Sequence, residues 1–203
     1  MALQFKFFNA PDVNHEALDL LQGLRYQPDV ITQAQEQALT SHILELPFAE
    51  FDFHGYKGKR RVVSFGWRYE FADGGQLRKA DDIPAFLLAL RVRAASFADR
   101  EPDYFQHALV TEYRPGAGIG WHRDKAVFGE VVGISLLSPC LLRFRRKMGT
   151  TAQVKHQRAW ERATLFAEPR SAYLLNGPSR SEWEHSILRV DSLRYSITFR
   201  HVF

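Results

Sequence analysis

Short segments of β character follow one another from about residue 105 onward, and this succession limits the possible folds more than any other feature of the chain. "HALVTEY", "GIGWHRD", "VVGISLL", "CLLRFRR", "ATLFAE", "AYLLN", "WEHSIL" and "LRYSITFRHV" are rich in β-branched, aromatic and other apolar residues, with turn-forming residues between them. Short strands in such a series close into a sandwich, a barrel or a jelly roll. The part before them is mixed. "TQAQEQALTSHILEL" places Thr32 and Gln35 at capping-box spacing, then Leu39, Ile43 and Leu46 on one helical face, and Pro47 stops the run. "RRVVSFGWRYEF" (60–71) reads as strands around Gly66. "DDIPAFLLALRVRAASF" reads as a second helix capped by Asp82, with Ile83, Phe86, Leu87, Leu90, Ala94 and Phe97 along one face. The expectation is an α+β chain forming one domain over residues 1–203. Within it, an N-terminal α/β layer (1–104) braces a jelly-roll core (105–203).

Composition removes several classes. At 203 residues and 45% hydrophobic, the chain can bury a core of its own. No apolar run approaches the roughly 20 residues of a membrane span, and "MALQFKFFNAPDVNHE" lacks the apolar centre of a secretory signal. Cys140 is the one cysteine, so an internal disulfide is excluded and the thiol reads as a buried strand residue. Together these fit a cytoplasmic monomer without membrane association. The net charge is +4, and two basic runs stand out: Lys57, Lys59, Arg60, Arg61 and Arg143, Arg145, Arg146, Lys147. Each reads either as solvated strand ends or as a contact for phosphates.

His122 and Asp124 are two residues apart in "GIGWHRDK", and residues i and i+2 of a strand point to one side. With eight histidines in the chain, chance alone supplies on the order of one half of such a pair. The pair gains meaning from distant residues. Iron(II) oxygenases hold their metal with two histidines and one carboxylate on one face, leaving other positions open. His185, in "WEHSIL", is a third donor far downstream. Arg194 and Arg200 lie on one face of the last strand, with Ser196 and Thr198 between them and Ile197 and Phe199 on the other side. Arginines turned into a core need anions, and a dicarboxylic acid supplies two. On an exposed strand they would simply face water.

"VTEYRPGAGIGWHRDK", "WEHSI" and "RYSITFR" together resemble the AlkB family of Fe(II)/2-oxoglutarate dioxygenases, over roughly residues 105–201. The resemblance implies a double-stranded β-helix fold. It implies Fe(II), 2-oxoglutarate and O2, and oxidative demethylation of alkylated bases in DNA or RNA with release of formaldehyde and succinate. Carried over, His122, Asp124 and His185 become the iron ligands, Arg194 and Arg200 the 2-oxoglutarate arginines, and Tyr113 its tyrosine partner. Thr111 and Ser196 stand where the family commonly has asparagine. Ala126 stands where repair members carry an acid that reads the base, so base preference does not transfer. Phe65, Trp67 and Tyr69 fall where the family places its nucleotide-recognition lid, and Lys125 and Arg145 are expected to touch substrate. Trp121 is expected in the core, and Trp183 near the site. A hydroxylase of the same superfamily acting on protein, lipid or tRNA is an alternative. So is a non-catalytic nucleic-acid-binding jelly roll.

Overall fold

The computed structural model describes residues 10–53, 56–70, 75–148 and 160–203, with side chains for 14–50, 59–70, 75–148 and 160–203. In chain order the first part holds α1 (Ala10–Leu20), β1 (Leu24–Gln27), α2 (Gln33–Ile43), β2 (Ala49–Phe53), β3 (Tyr56–Phe65), β4 (Trp67–Glu70), β5 (Gln76–Lys79) and α3 (Ala85–Phe97). After a short 3-10 turn come β6 (His107–Tyr113), β7 (Ile119–His122), β8 (Phe128–Leu136), β9 (Cys140–Lys147) and β10 (Trp160–Ala167). The chain ends with β11 (Ala172–Leu175), α4 (Gly177–Ser181), β12 (Glu184–Ile187) and β13 (Arg194–Val202). No helix among the described residues is long and apolar enough to cross a membrane.

These strands form two facing antiparallel sheets. The larger runs β1-β11-β8-β13-β6-β3-β2 and the smaller β10-β9-β12-β7, with β4 and β5 as a separate pair. Period-two alternation gives the strands of the larger sheet two faces, most clearly on β13. On β13, Tyr195, Ile197 and Phe199 join a core with Leu39 and Ile43 of α2 and Leu87 and Leu90 of α3. The opposite face turns toward the smaller sheet, where Tyr113, Val131 and Tyr173 pack with Leu142, Phe144 and Ile187. This is a jelly roll with helices on its outer face, the expected α+β class. β1, β2 and β3 hydrogen-bond into the same sheet as β6, β8 and β13, so one sheet draws on both parts of the chain.

The capping box of α2 is present: Thr32 Oγ1 accepts from Gln35 N, and Thr32 N donates to Gln35 Oε1. Asp82 is not the cap of α3. That helix begins after Pro84, which is extended and makes no side-chain cap. The reason is steric, since a residue preceding proline avoids helical backbone and Ile83 cannot start the helix. Helix α1, absent from the sequence reading, is clamped to the edge strand β10. Asn14 donates to Phe166 O and accepts from Phe166 N at 3.1 and 2.7 Å.

Gly66 divides β3 from β4 with φ +74°, and its carbonyl and N–H pair with Ala80 and Asp81. A Cβ there would stand 2.0 Å from the carbonyl oxygen of Gln106. Gly66→Ala is therefore expected to cost about 3 kcal/mol or more, from a left-handed backbone and a backbone clash together. Chemical denaturation of the variant measures it.

Candidate metal centre

β7 and β12 are neighbours in the smaller sheet, and their register sets His185 directly opposite His122. The two rings lie 4.3 Å apart between centroids. Ligand atoms of His122, Asp124 and His185 all fall within 4.8 Å of one another. His122 Nδ1 is 2.8 Å from the carbonyl oxygen of Gly120, which can only accept. Nδ1 therefore carries the proton, and Nε2 keeps a lone pair for a metal. The expected strand through Asp124 is shorter than the spacing suggested: β7 ends at His122, and Asp124 reaches the cluster from the following loop.

Arg180, in the last turn of α4, holds that loop in place. Its guanidinium donates to the carbonyls of Lys125, Phe128 and Gly129 at 2.8, 2.6 and 2.9 Å. Arg180→Ala is expected to weaken metal binding roughly tenfold while leaving the fold intact, because such supports typically carry 10–100-fold in affinity. Titration with cobalt(II), read by absorbance, tests it.

The electrostatics suit a cation. Burial pushes the Asp124 carboxyl up, but Arg200, His185, His122 and Arg180 outweigh it and hold the group well below the usual carboxylate range. Arg200 Nη2 stands 3.6 Å from Asp124 Oδ1, both side chains almost covered. Burial, reinforced by the neighbouring His122, pulls His185 down to about 3. Burial lowers His122 as well. Near neutral pH the cluster is two neutral imidazoles and one carboxylate, the protonation states a metal requires.

A cavity of about 1210 Å³ opens between the sheets, with the cluster on one wall. The opposite wall is β13 and its neighbours, where Thr111, Tyr113, Ser196, Thr198 and Arg200 line the space. Register places Arg194 beside Tyr113 and Ser196 beside Thr111 and Ser135. Arg194 is fully buried, its guanidinium 5.1 Å from the Tyr113 ring centre. Its Nε donates to Ser135 Oγ at 3.1 Å, while Nη1 and Nη2 have no hydrogen-bond partner. Two orphaned donors on a buried cation are costly unless an anion meets them, and a carboxylate fits their fork. Burial pushes the Tyr113 phenol up, so it stays a neutral donor. The residues present fit an Fe(II) ion together with a dicarboxylic 2-oxo acid.

Other expected site residues fall differently. Tyr69 and Lys125 line the cavity, with Lys125 Nζ 5.2 Å from the Tyr69 ring centre. Phe65 does not: Gly66 breaks the alternation, and Phe65 joins the core under α3. Trp67 lies under Lys79, whose Nζ is 4.3 Å from its ring centre, and is not part of the cavity wall. Arg145 binds Glu184 through Nε at 2.6 Å, away from the cavity wall. Trp121 is half-buried rather than core, packed beneath Arg143 and Arg145. Trp183, two residues before His185, lies outside β12 and is buried in the core between the sheets. Cys140 is a buried free thiol.

The first basic run is split by the pleat of β3. Arg60 lines the cavity, whereas Arg61 faces the other way and forms a two-pronged pair with Glu112 at 2.8 and 3.1 Å. Lys59 is exposed, and the Lys57 side chain lies outside those described. Sequence reasoning missed His107, buried in the cavity wall opposite Arg200 with Nδ1 unpartnered. Its parity with Thr111 and Tyr113 on one strand was the available signal. Arg180 offered none, because its partners are carbonyls.

A jelly roll enclosing two histidines, a carboxylate and buried arginines defines a mononuclear non-haem iron oxygenase of the 2-oxo-acid-dependent class. The chain belongs to the 2OG-Fe(II) oxygenase superfamily, whose family model matches residues 23–200. It is an enzyme that works with Fe(II), 2-oxoglutarate and O2, and the resemblance to the AlkB family stands. It is 29% identical over 211 residues to the Alkylated DNA repair protein ALKBH8 homolog of Arabidopsis thaliana, covering 89% of this chain. The match spans only 58% of that relative's own length. Uncharacterized protein L905 of Acanthamoeba polyphaga mimivirus is 26% identical over 218 residues, covering 100% of this chain and 91% of that one. The solved structure of OsALKBH1 has the same fold, with a TM-score of 0.61 at 17% identity, covering 88% of this chain and 98% of that one.

Proposed function

We propose that this oxygenase oxidatively demethylates alkylated bases in DNA or RNA, releasing formaldehyde and succinate. The observation that carries the reading is that Tyr69 and Lys125 meet in the wall of the same cavity that His122 and Asp124 line. An aromatic face there can stack on a base withdrawn from its strand, and the ammonium can meet its phosphate. The alkylated-DNA-repair name of the Arabidopsis relative supports the substrate class. In this reading His122, Asp124 and His185 hold Fe(II), which supplies the oxidising chemistry when bound. Arg194 and Arg200 take the carboxylates of 2-oxoglutarate, and Tyr113, Thr111 and Ser196 offer it hydroxyls. Ala126, exposed beside Lys125, presents no hydrogen-bonding group to a base. The base is therefore not read by an acid at that place.

Formaldehyde release from a panel of methylated DNA and RNA oligonucleotides, with iron and 2-oxoglutarate supplied or withheld, tests the proposal. Release from at least one oligonucleotide, dependent on both, is expected. Succinate production that no oligonucleotide stimulates would place the substrate in another chemical class.

A further inference from the structure

The outer face of the smaller sheet carries a row of cations and indoles. The pleat of β9 turns Leu142 and Phe144 into the core and sets Arg143, Arg145 and Lys147 on the opposite side. β10 adds Trp160 and Arg162, in register with Lys147 and Arg145, and β7 contributes Trp121. Cations and indoles interleave. The guanidinium carbons of Arg143 and Arg145 lie 4.9 and 4.5 Å from the Trp121 ring centre. Arg145 and Lys147 lie 4.3 and 5.7 Å from that of Trp160. Glu184 is the acid that meets this row among the described residues, paired with Arg145.

Three features give the row a direction and a partner. Alternate residues of one strand recur about every 6.8 Å, close to the separation of neighbouring phosphates in an extended nucleic-acid strand. The indoles hold long cationic side chains in place, so less side-chain freedom is lost when an anion binds. Trp121, which carries the first two cations, also borders the cavity and precedes His122 on β7, so the row reaches the edge of the cavity.

We propose that this face is a rail for the sugar–phosphate backbone of one nucleic-acid strand and leads that strand to the cavity. The proposal rests on the nucleic-acid reading above and adds a binding surface outside the oxidation site. The test uses Lys147→Gln combined with Arg162→Gln, both at exposed positions. Binding of a fluorescent single-stranded oligonucleotide is followed against salt. The parent protein is expected to lose affinity steeply with salt. The double variant is expected to bind about tenfold more weakly at low salt, with a slope shallower by roughly 1.4, the share of two phosphate contacts on a single strand. Succinate production without nucleic acid should match the parent. If the parent binds with a steep slope and the variant keeps it, the rail is wrong and the function reading survives. If the parent binds no oligonucleotide in a salt-dependent way, both fall together.

Discussion

Asp124→Ala and His122→Ala are each expected to abolish 2-oxoglutarate turnover, by about a thousandfold or more, equivalent to about 4 kcal/mol. Each removes one of three donors, and the remaining pair cannot fix a metal with open positions on one side. Succinate production and cobalt(II) titration report the loss, and normal turnover in both variants would refute the iron assignment. The two differ in what they do to the metal-free fold. His122 stands beside His185 with burial opposing charge on both rings, so its removal strands no charge and should cost less stability than the loss of Asp124. Asp124 is the counter-charge of buried Arg200. Its removal strands that cation and should cost about 3 kcal/mol. Denaturation midpoints of the apoproteins separate the two cases.

Arg194→Met is expected to weaken 2-oxoglutarate binding about a hundredfold, or about 2.7 kcal/mol, without destabilising the metal-free protein. The orphaned Nη1 and Nη2 make the arginine a liability until a carboxylate arrives, so an apolar chain of similar length removes a buried, half-satisfied cation. Thermal melting shows this directly. Added 2-oxoglutarate should raise the melting temperature of the parent but not of the variant, since a ligand stabilises only the fold that binds it. An equal rise in both would remove Arg194 from the co-substrate site. Arg200→Ala should raise the Michaelis constant for 2-oxoglutarate too, with a loss of metal affinity that Arg194→Met does not share, because Arg200 also faces Asp124.

Much of this arrangement was legible because strands impose a simple rule. Arg194, Ser196, Thr198 and Arg200 share one face of β13 while Ile197 and Phe199 fill the core, as alternation requires. The capping box at Thr32 and Gln35 was readable for the same reason, since a local hydrogen bond has a local signature. What sequence could not give were partners brought by the fold. Arg145 looked free until β12 set Glu184 across from it. Phe65, Trp67 and Tyr69 looked like one face until the left-handed turn at Gly66 set Phe65 apart from the other two. His122 and Asp124 met the spacing of a strand, yet Asp124 is aimed by a loop that Arg180 ties down from α4.

The strand order also sets a timetable. β13 is the central strand of the larger sheet, bonded to β8 on one side and β6 on the other, and it is made after both of them. During synthesis β6 and β8 emerge first and have no neighbour to fill the gap between them. Until residues 194–202 appear, those two edges stay open to pairing with other chains, and one wall of the cavity does not exist. A nascent chain can thus hold His122, Asp124 and His185 and still lack the arginines of the opposite wall. The completed cavity comes with β13, so loss of that strand removes the sheet's centre and the site together.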